Sequence, residues 1–267
     1  DGLIVYDEGK AGENAPSGPK YLPLPMEKIA EETGGSARMA NSVASGALMA
    51  LTGFSLEPLL ALLGEVFSPK GDKVVQANRA CARKGFERMK DRPEGPPLCA
   101  LHPSGQESRR RMLLTGSEAM ALGALASNVR LYSAYPMSPA TAIMEYLASK
   151  SRELGIVVEQ AEDEIAAVNM AIGAFFCGAR AMTGTSGGGL ALMVEGISLA
   201  GMTETPLVVV DCQRPAPATG FPTRTEQADL LFVTHCAHGE FPRAVLAPGN
   251  AEEAFHSIRK AFYLAEK

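Results

Sequence analysis

The residues of this chain that could do chemistry gather where strand-like runs give way to loops and helices. The first group is a glycine run. MTGTSGGGLALMVEG, residues 182–196, sets Gly187, Gly188 and Gly189 between a Thr/Ser pair and a long apolar stretch. Glycines ahead of a helix often hold phosphate, because exposed backbone N–H groups and the helix N-terminus favour an anion. The P-loop spacing requires G-x-x-x-x-G-K-[ST], however, and no Lys follows Gly188 or Gly189. The dinucleotide spacing G-x-G-x-x-G also fails: counted from Gly187, its last glycine falls on Leu192. The pattern favours glycine's other use, close passage of backbone past a neighbour or ligand.

Three further candidates stand apart from the glycines. Glu164 opens the run EIAAVNMAIGAFFCG, and its helical neighbours Ala167 and Val168 are apolar, so its side chain can turn inward. A buried carboxylate holds or shares a proton more readily than an exposed one. The alternative is that Glu162, Asp163 and Glu164 only complement the helix dipole. Arg214 follows PLVVVDCQ, where a guanidinium can clamp a carboxylate through a bidentate pair or bridge loop carbonyls. Ser138, in AYPMSPAT, is read as a helix N-cap with Pro139 at the first helical position, and beside Tyr135 and Pro136 it also suits an anionic substrate. Arg224, in GFPTRTEQADL, is a weaker candidate of the same kind. The cluster of His235, Cys236 and His238 lacks further ligands at a useful spacing, and no metal is assigned to it.

The elements that must position these residues alternate. From 112 onward, strand-like RLYSAY, IVVEQ, ARAMTGT, PLVVVD and RAVLAP are separated by helical runs, the last being AEEAFHSIRKAFYLAEK. Repeated β–α units imply a doubly wound parallel sheet, which binds ligands beyond the carboxyl ends of its strands. Residues 1–90 read as one strand, LIVY, a Gly/Pro-rich loop from 9 to 25, and then helices, one of them capped by Ser55. Between the two blocks, residues 91–111 carry four prolines and many charges without periodicity, which makes them a linker.

Composition excludes several classes. A hydrophobic content of 46% supports a core, and a net charge of −5, with no basic block beyond RRR at 109–111, argues against a nucleic-acid surface. The five cysteines are odd in number and widely spaced, so neither a disulfide framework nor an iron–sulfur or zinc site is expected within this chain. Free thiols point to a reducing cytoplasm. The opening DGLIVYDEGK lacks the form of a signal peptide, and no apolar stretch reaches the roughly 20 residues of a membrane span. Both ends read as cut, the first on a strand and the last on a helix.

Two stretches carry a resemblance. AYPMSPAT, with EQAEDEIAAVNMAIGAFFCGARAMTGTSGGGLALMVEGISLAGMTETPLVVVDCQRPAPATGFPTRTEQADL, resembles the alpha subunit of 2-oxoacid:ferredoxin oxidoreductases over 112–267. PLPMEKIAEETGGSARMANSVASGALMALTGFS and VVQANRACARKGFE resemble the carboxyl-terminal part of their gamma domain over 1–90. The resemblance implies a thiamine-diphosphate-binding pyrimidine domain preceded by part of a smaller α/β domain. It implies that Glu164 contacts N1′ of the cofactor's aminopyrimidine, that Pro136 and Ser138 border the thiazolium and substrate, and that Arg214 holds the 2-oxo acid's carboxylate. Gly187 and Gly188 would lie near the cofactor without gripping its diphosphate. A beta subunit would hold the diphosphate and Mg²⁺ and carry the iron–sulfur cluster, in a dimer of heterodimers, with coenzyme A and ferredoxin as co-substrate and acceptor. Many relatives have Thr where this chain has Ser138, and Ile in place of Met137, so the hydroxyl is kept while substrate choice stays open. 2-Oxoglutarate is the expected substrate. Pyruvate, a branched-chain 2-oxo acid, or a non-catalytic partner-binding role are the alternatives.

Overall fold

The computed structural model describes residues 3–12, 16–18, 20–90 and 112–267; the expected linker at 91–111 lies outside the described residues. The chain divides into two compact units, Asp1–Ser108 and Arg109–Lys267.

In the first unit, β1 (Ile4–Asp7) is followed by a helical turn, α1 (Glu8–Ala11), and then by β2 (Tyr21–Leu24), which pairs parallel to β1 from Ile4↔Tyr21 to Asp7↔Leu24. The stretch 9–25 is therefore more than the expected loop. Pro23 marks YLPL as a poor strand in sequence, yet β2 borders β1 alone, and its other edge needs no N–H from the proline. The Asp7 carboxylate accepts from the Gly9 and Glu27 N–H groups, each at 2.9 Å, which ties the end of β1 to the start of α2 (Met26–Gly34). Gly35, at φ 77°, stops α2 with a left-handed turn. Helices α3 (Ala40–Leu51), α4 (Glu57–Phe67) and α5 (Asp72–Lys90) complete the unit. α3 and α5 meet backbone to backbone: a Cβ at Gly46 would strike the Ala82 carbonyl, and one at Gly85 the Val43 carbonyl. Ser42 Oγ donates to Asn78 Oδ1 (2.7 Å) across the same contact. Ser55 is not the cap of α4. That position falls on Leu56, and the Ser55 hydroxyl accepts only a long bond from the Glu57 N–H at 3.4 Å.

The second unit is α6 (Gly116–Ala126), β3 (Leu131–Ala134), α7 (Thr141–Leu154), β4 (Val157–Gln160), α8 (Glu164–Phe176), β5 (Ala181–Thr185), α9 (Gly187–Met202), β6 (Val209–Asp211), α10 (Leu230–His235) and α11 (Ala251–Ala265). The four strands form one parallel sheet in the order β4-β3-β5-β6. The chain leaves β3 for β4 on one side, then crosses back to β5 on the other. Right-handed crossovers place α7 on one face and α8 and α9 on the opposite face. One core gathers Tyr132, Met182 and Val210 of the sheet with Ile143 and Leu147 of α7 and Ile258 and Phe262 of α11. A second packs Val168 and Ile172 of α8 against Met193 and Ala200 of α9.

Two sequence expectations fail in this unit. RAVLAP (243–248) takes no place in the sheet; it runs as irregular chain, with Val245 exposed, although the outer edge of β6 has no partner among the described strands. Ser138 does not cap α7, whose N-cap is Ala140. Residues 138–140 form a turn instead, and the Ser138 carbonyl is taken by Arg214. Among the described residues, no helix is long and apolar enough to cross a membrane.

Candidate functional site

The strand order reverses between β3 and β5, and a parallel sheet opens a crevice at the carboxyl ends of such a pair. The segments leaving those ends are Tyr135–Ser138 after β3 and Thr185–Gly189 after β5, with the start of α8 and the loop after β6 beside them. The candidate residues converge here.

The acidic trio at the start of α8 divides its labour. Glu162 is exposed. Asp163 is the N-cap, its Oδ1 accepting from the Ala166 N–H at 2.7 Å. With the cap provided, Glu164 turns inward and is only 4% exposed. Ser133 Oγ, on β3, donates to the Ala167 carbonyl (2.7 Å) and pins this first turn of α8 to the sheet. The Glu164 side chain lies against the first turn of α9, and its Oε1 is buried without a hydrogen-bond partner. Such an oxygen has full capacity to accept from a ligand N–H or to share a proton with it.

The glycine run has a different explanation at each position. A Cβ at Gly189 would fall 2.6 Å from Glu164 Oε1 and would strike the Thr185 hydroxyl. At Gly188 it would lie 3.3 Å from the Ala218 carbonyl, in the loop after β6. At Gly187 it would fall 2.5 Å from Asp229 Oδ1. The glycines admit three converging neighbours. Because a carboxylate already occupies the start of α9, a phosphate there would meet like charge.

Arg214 is 7% exposed, and its Nη1 donates to the Ser138 carbonyl at 2.8 Å. Among the described residues its side chain makes no other hydrogen bond or ion pair, so further guanidinium N–H groups remain for a ligand. Of the two readings of this arginine, the structure shows the bond to a loop carbonyl, which sets it beside Ser138. Thr185 Oγ1 reaches Met137 Sδ at 3.8 Å, which brings the Pro136–Ser138 turn over the end of β5. Arg224 lies on the same loop as Arg214 but is exposed. His235 bonds within its own helix, through Thr234 Oγ1 (2.8 Å) and the Leu231 carbonyl (3.0 Å). Among the described residues, no three His, Cys, Asp or Glu side chains group to hold a metal, and Cys81, Cys177, Cys212 and Cys236 are free thiols.

Sequence reasoning missed a buried polar group beside this crevice. The hydroxyls of Tyr132, Thr183 and Ser186 are buried without partners, as are both oxygens of Asp211 and Oδ2 of Asp229. Burial, and then the neighbouring Asp229 carboxylate, push Asp211 up to about 7. Burial and Asp211 together push the Cys212 thiol up to about 12, and burial, then Cys212, raises the Tyr132 hydroxyl. Asp211 ends an unbroken apolar strand and Asp229 lies 18 positions later. Only their separate placement after β6 and before α10 hints at a meeting.

The crevice thus combines a buried, unpartnered carboxylate with a buried arginine, on a parallel α/β domain. That arrangement leaves a hydrogen-bond acceptor and a cation for a ligand in the crevice of a parallel α/β domain. Residues 122–267 match the family model "Pyruvate flavodoxin/ferredoxin oxidoreductase, thiamine diP-bdg", and residues 1–88 match "Pyruvate ferredoxin/flavodoxin oxidoreductase". The chain belongs to this oxidoreductase family. It is 40% identical over 242 residues to the alpha subunit of 2-oxoacid:ferredoxin oxidoreductase 1 of Sulfurisphaera tokodaii, covering 86% of this chain and 37% of the relative. It is 42% identical over 154 residues to the 2-oxoglutarate synthase subunit KorA of Methanothermobacter marburgensis, covering 58% of this chain and 41% of the relative. The solved 2-oxoglutarate:ferredoxin oxidoreductase of Magnetococcus marinus, with 2-oxoglutarate, coenzyme A and succinyl-CoA bound, superposes with a TM-score of 0.87 at 36% identity, over 99% of this chain and 46% of that one. The chain spans less than half the length of these relatives.

Proposed function

We propose that this chain is the pyrimidine-binding part of a 2-oxoacid:ferredoxin oxidoreductase alpha subunit, residues 112–267, preceded by the end of its gamma domain, residues 1–90. The reading is that the enzyme oxidatively decarboxylates 2-oxoglutarate to the acyl-CoA and passes electrons to ferredoxin. The observation that carries it is Glu164: a buried carboxylate oxygen with no protein partner, in a family whose model is a thiamine-diphosphate-binding domain.

Thiamine diphosphate, when bound, supplies the carbon nucleophile and electron sink for decarboxylation of a 2-oxo acid. The residues present suit it, because Glu164 Oε1 needs the hydrogen-bond partner that an aminopyrimidine offers. Glu164 holds a proton at N1′ of that ring. Pro136, with Gly187 and Gly188 at the start of α9, lines the cofactor side of the crevice. Arg214 receives the substrate carboxylate while its bond to the Ser138 carbonyl fixes its direction, Ser138 Oγ borders the same carboxylate, and Arg224 attracts the acid from the loop surface. A beta subunit supplies the diphosphate and Mg²⁺ ligands and the iron–sulfur cluster, in a cytoplasmic dimer of heterodimers. The free thiols are in keeping with a reducing compartment.

The test is to purify the full-length subunit with its partner and offer 2-oxoglutarate, pyruvate and branched-chain 2-oxo acids with coenzyme A and a viologen dye. 2-Oxoglutarate should reduce the dye with the highest kcat/KM. A preference for another acid would overturn the substrate, and no reduction with any acid would leave a partner-binding subunit.

A further inference from the structure

The loop that carries Arg214 leaves the sheet at Asp211, the last residue of β6, and ends at Asp229, the N-cap residue of α10. Its two ends are drawn together. The Cys212 N–H donates to the Thr185 carbonyl (2.8 Å), and the Asp229 N–H donates to Gln213 Oε1 (2.9 Å). Between them the loop is folded on itself, with the Phe221 N–H donating to the Pro215 carbonyl at 3.3 Å and Gly220 at φ 62°. At this neck the carboxyl groups of Asp211 and Asp229 are neighbours, outside ordinary hydrogen-bond geometry. Asp229 lies against Gly187, where the start of α9 favours negative charge. Asp211 has no such support, and no cation enters its balance. Two charged carboxylates in one buried place repel strongly, whereas one proton between them removes the repulsion.

We propose that Asp211 and Asp229 are positioning residues for substrate binding: the neck of the Arg214 loop stays closed while one of the two carboxyl groups is protonated, and loosens when both are charged. The substrate part rests on the reading of Arg214 as the ligand of the 2-oxo acid. Other titratable groups stand about the pair. The Cys212 thiol is pushed up to about 12, and burial raises the Tyr132 hydroxyl, from β3. Glu164, from α8, faces Gly189 further along α9, and His235 bonds within α10. Raising the pH through about 7 removes the proton from Asp211, so the loop tightens on the acid side and slackens on the basic side.

Hydrogen exchange of the full-length chain with its partner subunit, without substrate, tests the neck directly. Between pH 6 and 8.5, after correction for intrinsic rates, protection of peptides covering 212–229 should fall about tenfold in the wild type. Asp211→Asn, neutral at every pH, should keep its acid-side protection, and so should Asp229→Asn if the first variant does not assemble. KM for the 2-oxo acid should rise in parallel in the wild type and stay level in the variant, with kcat unmoved. Unchanged wild-type protection, or a variant that tracks the wild type, would overturn the proposal. If protection falls and KM does not, the neck is upheld, and Arg214 as substrate ligand is what fails.

Discussion

Glu164 faces inward because its neighbour Asp163 provides the cap, and that division makes two adjacent acids separable by experiment. Glu164→Gln preserves shape but cannot supply the charge that holds a proton at N1′. Exchange of the C2 proton of bound thiamine diphosphate, followed by NMR in the assembled enzyme, should slow by on the order of 10²–10⁴. Asp163→Asn should change it little, since Asn caps a helix about as well as Asp. Equal rates in wild type and Glu164→Gln would remove the assignment. Gly189 is the complementary probe, because its missing Cβ leaves room for the Glu164 carboxylate. Gly189→Ala should lower activity well before it lowers the melting temperature. Arg214→Ala should raise KM for the 2-oxo acid strongly, as loss of a charge-assisted bond costs roughly 1.5–3 kcal/mol; an unchanged KM would leave the arginine as a tie to Ser138 alone. Glu164 and the glycine run stand out in sequence because each opens a helix after a strand, and Arg214 because it closely follows the end of one. Asp211 and Asp229 were not, because their significance comes from a loop closure that spacing does not encode.

At the scale of elements, errors in the sequence reading trace to signals that are right locally and overruled by what lies across the crevice. Ser-Pro is a good helix start, yet Ser138 gives its carbonyl to Arg214, 76 positions away, and α7 begins after it. Pro23 argues against a strand, yet β2 has an edge to spare. RAVLAP reads as a strand from its short apolar run, yet it pairs with no strand of the sheet. The helix starts that were read well carry their own partners, and α6 is an example sequence reading passed over: Thr115 and Glu118 form a reciprocal capping box. Thr115→Ala should therefore cost about 1 kcal/mol in urea denaturation. The Asp211 carboxyl leaves its own mark on stability. Its ordinary value of 3.8 holds in the unfolded chain, while burial first and Asp229 second raise it to about 7 in the fold. The folded chain keeps a proton that the unfolded chain loses, so this contribution is full below about pH 4 and is lost as pH rises to about 7. The urea midpoint of wild type should fall across that window relative to Asp211→Asn, and parallel profiles would contradict the shift.

For the whole molecule, the proposed function gives the chain one side of a catalytic centre, shared with a partner subunit. Among the described residues, no three His, Cys, Asp or Glu side chains group to hold a metal. The chain purified alone should contain no iron and bind thiamine diphosphate weakly, and calorimetry and metal analysis would check both; stoichiometric iron or tight binding would contradict the shared site. The strand order adds a constraint in time. β3 pairs with β4, made just after it, and with β5, made only once α8 has been traversed, so the crevice between β3 and β5 cannot exist in a nascent chain that ends before residue 185. A chain halted near 205 has the Glu164 side of the crevice and lacks Arg214 altogether. On the reading proposed above, the residue that would meet the heterocycle is thus made well before the clamp for the acid, and the last part of the crevice to be made is the loop that Asp211 and Asp229 bound.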